Sequence, residues 1–301
     1  MSIHADGIDV PLGLVRDLVD AQFPQWADLP LRPVAEFGTD HALYRLGDDL
    51  VARMPIIGWA ADQADSDATW LPRLVNHVPV TLPVPVALGE PSAAYPFRWS
   101  VAPWLPGQTP TADNVDPFVL AEELAGFVAD LHAVDATGGP LKTGSSRGAP
   151  IRGWDESVRS AIVEAGDRID GPAALRAWEH CLEAPDHAGD PVWIHGDLLA
   201  GNLLVDGGHL SAVIDFGALG VGDPGPDLTP YWSTLSVEAA GRFREVVDER
   251  CGYDDAVWRR GRGCTLAPAL TGIPYYWDTV PAFAQRGLRT LERVLADLGL
   301  G

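Results

Sequence analysis

The chain has 301 residues, 42 of them acidic against 21 Lys and Arg, for a formal net charge of −21. That balance argues against a general nucleic-acid binder and against docking on anionic lipid, since both need a basic surface. At 47% hydrophobic with 11 Trp the chain is neither disordered nor collagen-like, and its length suits two domains or lobes on a prior of roughly 100–200 residues each. All basic residues but one are Arg, the single lysine being Lys142. Cys181, Cys251 and Cys264 are far apart, odd in number and in no metal-ligand spacing, which predicts reduced thiols and a cytoplasmic protein. The start MSIHADGIDV shows no basic-then-apolar leader pattern, and no apolar stretch approaches the ~20 residues needed to span a bilayer.

In chain order, Val10, Leu14, Val15, Leu18 and Val19 recur at helical spacing. Residues 34–54 read as two or three short strands, with turns at Gly38-Thr39-Asp40 and Gly47-Asp48-Asp49. In the later strand Leu50, Ala52 and Met54 share one face, while Val51 and Arg53 share the other. A helix is expected over 60–76 and a strand over 98–104. Leu105-Pro106-Gly107 then breaks the chain, dividing a β-rich lobe (1–104) from a mainly helical one (105–301). Asp116-Pro117 is a helix start, a capping carboxylate followed by proline at the first helical position. Residues 138–153 are rich in Gly, Ser and Pro and read as a loop, and helical patterns return at 155–183, 236–250 and 283–298.

The most informative run is Trp193-Ile-His-Gly-Asp-Leu-Leu-Ala-Gly-Asn-Leu-Leu-Val205, followed by Leu210-Ser-Ala-Val-Ile-Asp-Phe-Gly217. Two β-compatible segments flank the turn Asp206-Gly-Gly-His209, a hairpin signal whose closure should bring Asn202 and Asp215 side by side. An amide oxygen and a carboxylate at one point are hard ligands suited to Mg²⁺, which completes its shell with phosphate oxygens and water. Asp197, five residues before Asn202, could accept a proton from a substrate hydroxyl. Metal pair plus base is the layout that phosphoryl transfer needs. Each residue alone is an ordinary turn former; the order and spacing together carry the signal.

His195-Gly-Asp197-x₄-Asn202 with Ile214-Asp215-Phe-Gly resembles the catalytic and metal loops of the aminoglycoside phosphotransferase family, relatives of the protein kinases. Val221-Gly-Asp-Pro-Gly-Pro-Asp-Leu228 resembles the family's Gly-Asp-Pro-x-x-Asp-Leu run. The resemblance spans about residues 30–295. It implies an α+β, protein-kinase-like, two-lobed fold with a small β-rich N-lobe and a larger helical C-lobe. It also implies ATP or GTP as phosphoryl donor, Mg²⁺, and an alcohol acceptor.

On that resemblance Arg53, followed by Met-Pro, takes the place of the phosphate-contacting cation, where many members carry Lys. Asp67 takes the place of the pairing acid, usually Glu. A solvent-facing strand residue and a plain helix-surface acid are the alternatives. Phe37-Gly38-Thr-Asp-His41 would cover the phosphates with one glycine rather than three. The adenine-contacting connection falls at Ser100–Trp104, with Ala102 and Trp104 offering backbone groups. Asp223 and Asp227 would support the catalytic loop, and His195 would hold its backbone rather than transfer protons. Tyr275, Tyr276, Trp277 and Asp278 either line an acceptor pocket or pack on a helix surface.

The resemblance points to an antibiotic acceptor, an aminoglycoside first, since acidic surroundings steer a polycationic sugar. Macrolides, other antibiotics and small metabolites use the same scaffold. A catalytically silent binding or sensor module is the reading of another class, motivated by the glycine-poor loop and the Arg-for-Lys change. The absence of an Ala-Pro-Glu segment and of an activation-loop phosphosite disfavours a protein kinase.

Overall fold

The computed structural model describes residues 6–34 and 40–301, so Gly38 lies outside the described residues. The chain falls into two compact units. One comprises Met1–Asn76, Val80–Gly107 and the six residues Ala212–Gly217; the other comprises His77–Pro79, Gln108–Ser211 and Ala218–Gly301.

The first unit is built on an antiparallel sheet. Helix α1 (Leu12–Gln22) precedes β1 (Leu31–Pro33), β2 (His41–Leu46) and β3 (Leu50–Pro55); α2 (Gln63–Leu74), β4 (Ala87–Gly89) and β5 (Trp99–Pro103) follow. The strand order is β1-β2-β3-β5-β4, and the Gly47 turn sets Leu46 opposite Leu50. The period-two pattern holds in β3: Ala52 and Met54 join Val15, Leu18, Val19, Leu46, Tyr95, Trp99 and Val101 in the core, with Leu50 packed at its edge. Arg53 therefore points to the opposite face of the sheet. On α2 the buried residues are Ala64, Asp67, Leu71 and Leu74, three and four apart and so on one face. This register puts an acid among apolar neighbours.

The second unit is mainly helical. It holds α3 (Pro117–His132), α4 (Asp155–Ala165), α5 (Gly171–Leu182), β6 (Val192–Ile194), β7 (Leu203–Asp206) and β8 (His209–Val213), whose last two residues belong to the first unit. After these come β9 (Gly220–Gly222), α6 (Pro230–Ser233), α7 (Val237–Cys251), α8 (Asp255–Tyr276) and α9 (Pro281–Asp297). Asp116 caps α3 as expected, accepting from the Phe118 and Val119 amides. β7 and β8 form the predicted hairpin, and β6 pairs with β9.

Two expectations need correction. The helical stretch 155–183 is two helices, because Gly166 adopts φ 54° and Asp170 then caps a new start at Gly171-Pro172. The 22-residue α8 was not foreseen. Its buried residues lie all round it, including Trp258, Gly263, Thr265 and Leu270, so it shows no apolar stripe. A Cβ on Gly263 would come 2.9 Å from Ile151 Cδ1 and 3.2 Å from Cys181 Cβ, a close approach that fixes glycine there. Cys181, Cys251 and Cys264 are free thiols, and burial pushes the first two up to about 12 and about 11. No described helix is long and apolar enough to cross a membrane.

Candidate active site

In the first unit β3 carries Arg53 towards α2, where its Nη1 lies 3.3 Å from Asp67 Oδ2 and its Nη2 3.7 Å from Asp215 Oδ1. Arg53 is only 11% exposed and Asp67 only 1%, so neither is a surface residue. With its amide turned so that the oxygen faces the two donors, Gln63, one turn before Asp67, accepts from Arg53 Nη2 at 3.1 Å and from the Gly217 amide at 3.0 Å. It ties the cation to the Asp215-Phe-Gly217 turn, a role that sequence reasoning missed. Asp215 holds φ 62°, the only described non-glycine residue with positive φ, and such strained backbone concentrates at functional sites.

Burial pushes Asp67 up to about 6; Arg53 pulls against that shift and Asp215 reinforces it. Its Oδ1 is buried with no hydrogen-bond partner among the described residues. His41 is held down to about 4, first by burial and then by Arg53, with Asp215 and Asp40 opposing, so it stays neutral near pH 7.

The folded protein keeps the Asp67 proton up to about pH 6, whereas the unfolded chain releases it near 3.8. The resulting stabilisation is complete below pH 3.8 and is lost as the pH rises through 6. Chemical unfolding of Asp67→Asn beside wild type at pH 4 and 7 should show the variant gaining about 2 kcal/mol relative to wild type over that window. A pH-independent difference would contradict this environment for Asp67.

β5 ends in the expected connection, but its polar groups are disposed otherwise than expected. The Trp104 amide donates to Asp49 O at 2.7 Å, and its ring lies under the Arg45 guanidinium, 4.1 Å away. Antiparallel pairs alternate in bonding, so Ala102, opposite Val51 two residues back, also spends its polar groups on β3.

In the second unit a tight loop presents Asp197. Asp227, fully buried, accepts from the His195 amide at 2.9 Å and the Gly196 amide at 2.6 Å, and pairs with His132 Nε2 at 3.1 Å. His195 Nδ1 accepts from the Asp197 amide at 3.1 Å, which spends that ring nitrogen on the loop backbone. Gly196 has φ 79°, and a Cβ there would lie 3.0 Å from Ala218 Cβ, so glycine is required between the histidine and the acid. Asp223 pairs with buried Arg260 and accepts from the Gly225 amide, a bracing role. Asp227→Asn presents an N–H to groups that themselves donate. It should cost about 3 kcal/mol, read as a lower urea midpoint at unchanged m-value; an unshifted midpoint would remove Asp227 from the bracing scheme.

The Asp197 carboxylate is gripped from two sides. Its Oδ1 accepts from Arg147 Nη1, which also donates to Gly196 O at 2.9 Å; its Oδ2 accepts from Asn202 Nδ2 at 3.3 Å. Asn202 Nδ2 further donates to Asp197 O at 2.8 Å. With its nitrogen so engaged, the Asn202 amide leaves its oxygen as the atom to offer a cation. Among the described residues no three His, Cys, Asp or Glu side chains converge on a metal position. Asn202 and Asp215 are hard oxygen donors of the kind Mg²⁺ takes in small number.

Arg147 comes from the Gly/Ser-rich loop and was missed. The available signal was that a long structureless loop inside a compact domain is usually functional. The Tyr275–Asp278 run is divided. Tyr275 and Asp278 are exposed, Trp277 stacks under Arg168, and half-buried Tyr276 meets Phe283 edge-on at 5.2 Å between ring centres.

A small antiparallel-sheet unit and a larger helical unit, with the Asp197 loop followed by a hairpin into Asp215-Phe-Gly217, make up the architecture of the kinase-like small-molecule phosphotransferases. A family model described as the phosphotransferase enzyme family, APH, matches residues 32–264, and the chain belongs to that family. Among solved structures, the GDP and kanamycin complex of APH(2")-IIIa aligns with a TM-score of 0.72 at 20% identity, covering 94% of this chain and 98% of the other. The GDP complex of wild-type aminoglycoside 2'-phosphotransferase-IIIa gives 0.69 at 19% identity, over 96% and 100%. Macrolide 2'-phosphotransferase MphH from Brachybacterium faecium gives 0.63 at 26% identity, over 93% and 97%. No curated protein sequence matches.

Proposed function

We propose that this protein moves the γ-phosphoryl group of ATP or GTP to a hydroxyl of a small molecule, with an aminoglycoside-type antibiotic as the first acceptor to test and a macrolide as the second. The observation that carries the reading is Asp197, an acid fixed on a braced loop with both oxygens engaged. Asp197 orients the acceptor hydroxyl and takes its proton as the oxygen attacks phosphorus. Arg53, braced by Asp67 and Gln63, grips the triphosphate. Asn202 and Asp215 hold Mg²⁺, which when bound neutralises charge on the phosphates. The base edge is read by backbone groups of the connection at the end of β5, where the Trp104 amide is already engaged by the Asp49 carbonyl. Tyr276 belongs to the acceptor side. A nucleoside-triphosphate donor sets the reaction in the cytoplasm.

The test is transfer from Mg·ATP and Mg·GTP to kanamycin and then to erythromycin, followed by the appearance of a phosphate-monoester signal in ³¹P spectra. Support comes from the neighbour solved with kanamycin and from the macrolide enzyme at 26% identity.

A further inference from the structure

Arg53 stands between two carboxylates of the first unit and divides itself unequally between them. Its Nη1 reaches Asp67 Oδ2 at 3.3 Å, whereas its Nη2 stands 3.7 Å from Asp215 Oδ1. A guanidinium drawn onto a carboxylate closes to about 2.7–2.9 Å. The Nη2 hydrogen is taken instead by Gln63, whose amide oxygen accepts it at 3.1 Å and the Gly217 N–H at 3.0 Å. That amide atom lies 3.5 Å from Asp215 Oδ1. A nitrogen there would reach one acceptor at the limit of bonding while confronting two donors, so the oxygen is the atom that fits. The approach is close. A Cβ on Gly217 would lie 3.1 Å from the Gln63 amide and 3.4 Å from Asp215 Oδ1. A neutral acceptor thus sits beside the acid and holds the N–H that the acid would otherwise draw in.

We propose that Gln63 is a positioning residue that holds Arg53 off Asp215, so that a divalent cation rather than the guanidinium takes that carboxylate's charge. The amide does this without adding charge of its own. Its bond to the Gly217 N–H keeps it in step with the turn that carries Asp215. Arg53 retains Asp67 as its ion-pair partner. Without Gln63 the guanidinium closes on Asp215, and a cation has to displace it before binding. The metal half of the inference rests on the phosphotransferase reading. The spacing rests on side-chain geometry alone, and the two are tested apart.

Two measurements on the full chain test this. Gln63→Met keeps the side-chain length and loses the acceptor, and Gln63→Ala is a second removal. Gln63→Glu, which keeps an oxygen facing both donors, is the rescue. In crystal structures without nucleotide, Arg53 Nη2 and Asp215 Oδ1 should close to about 3 Å in the two removal variants and stay apart in Gln63→Glu. A separation that remains near 3.7 Å in both removal variants overturns the spacer. Calorimetric titration of ADP, once with Mg²⁺ and once with EDTA, reads the consequence. The gain in affinity on adding Mg²⁺ should fall about fivefold in the removal variants, the size of one ion pair that the cation must displace. It should persist in Gln63→Glu. Equal losses with and without Mg²⁺ would make Gln63 a plain brace for Arg53 and overturn the proposal, as would an unchanged gain. If wild type binds neither Mg·ADP nor Mg·GDP, the phosphotransferase reading fails, and the crystal structures still decide the spacing.

Discussion

Asp197→Ala should lower kcat by about 10³–10⁴-fold while leaving Mg·nucleotide affinity within about twofold, because a positioned general base contributes on that scale and the role proposed for Asp197 is on the acceptor hydroxyl, not on the nucleotide. The separation follows from the geometry. Asp197 belongs to the second unit and is tied to Arg147 and Asn202, whereas the Arg53–Asp67 pair belongs to the first. The loop survives the substitution, since its backbone hangs on Asp227 and its turn on Gly196. Asp197→Asn is the companion variant. It keeps the shape but has no carboxylate to take a proton, and it should lose nearly as much turnover. Turnover within tenfold of wild type in both variants would remove Asp197 from the base role.

Asp215→Asn should remove the Mg²⁺ dependence of nucleotide binding. Affinity in the presence of Mg²⁺ should fall by about tenfold or more and become equal to that in EDTA. Asparagine is the informative substitution because Asp215 holds φ 62°, a conformation that Asn tolerates and that strains Ala. Loss of binding in Asp215→Ala could be a folding effect; the same loss in Asp215→Asn, with an unchanged unfolding midpoint, is a charge effect. Arg53 lies 3.7 Å from the same carboxylate, so the variant also releases this cation from one partner. Arg53→Gln in parallel separates the two contributions, because it weakens binding with and without Mg²⁺ alike. Undiminished Mg²⁺ stimulation in Asp215→Asn would overturn the metal role.

Much of this was legible in the sequence wherever a local rule was sufficient. Asp116-Pro117 announced α3 because capping is decided by the residues that cap. The alternation in β3 put Arg53 opposite the apolar face, and the hairpin turn between Val205 and Leu210 was written in its glycines. The paired acid of α2 could be located only through the family resemblance, yet its burial follows from the spacing Ala64, Asp67, Leu71, Leu74. What escaped depends on neighbours far along the chain. α8 is enclosed on every side and carries Pro268 and Pro274 within it, so neither periodicity nor propensity marks it. Gln63 matters only because Gly217 and Arg53 converge on it.

The total of −21 describes the whole chain, whereas a site responds to charges within a Debye length. The charge bonded to Asp197 is Arg147. The single lysine, Lys142, has its pKa lowered by burial and by Arg147. It belongs to the unit that holds Arg147 and not to the one that holds Arg53.

The measurement that bears most directly on the central claim is single-vessel transfer of label from γ-³²P-ATP and γ-³²P-GTP with Mg²⁺, using wild type and Asp197→Ala on the same panel of aminoglycosides, macrolides and amino alcohols. Phosphotransferase chemistry predicts a labelled phosphate monoester of at least one panel member with wild type and none above background with Asp197→Ala. Nucleotide bound by both proteins with no label leaving it for any member would contradict that chemistry and favour a kinase-like binding module.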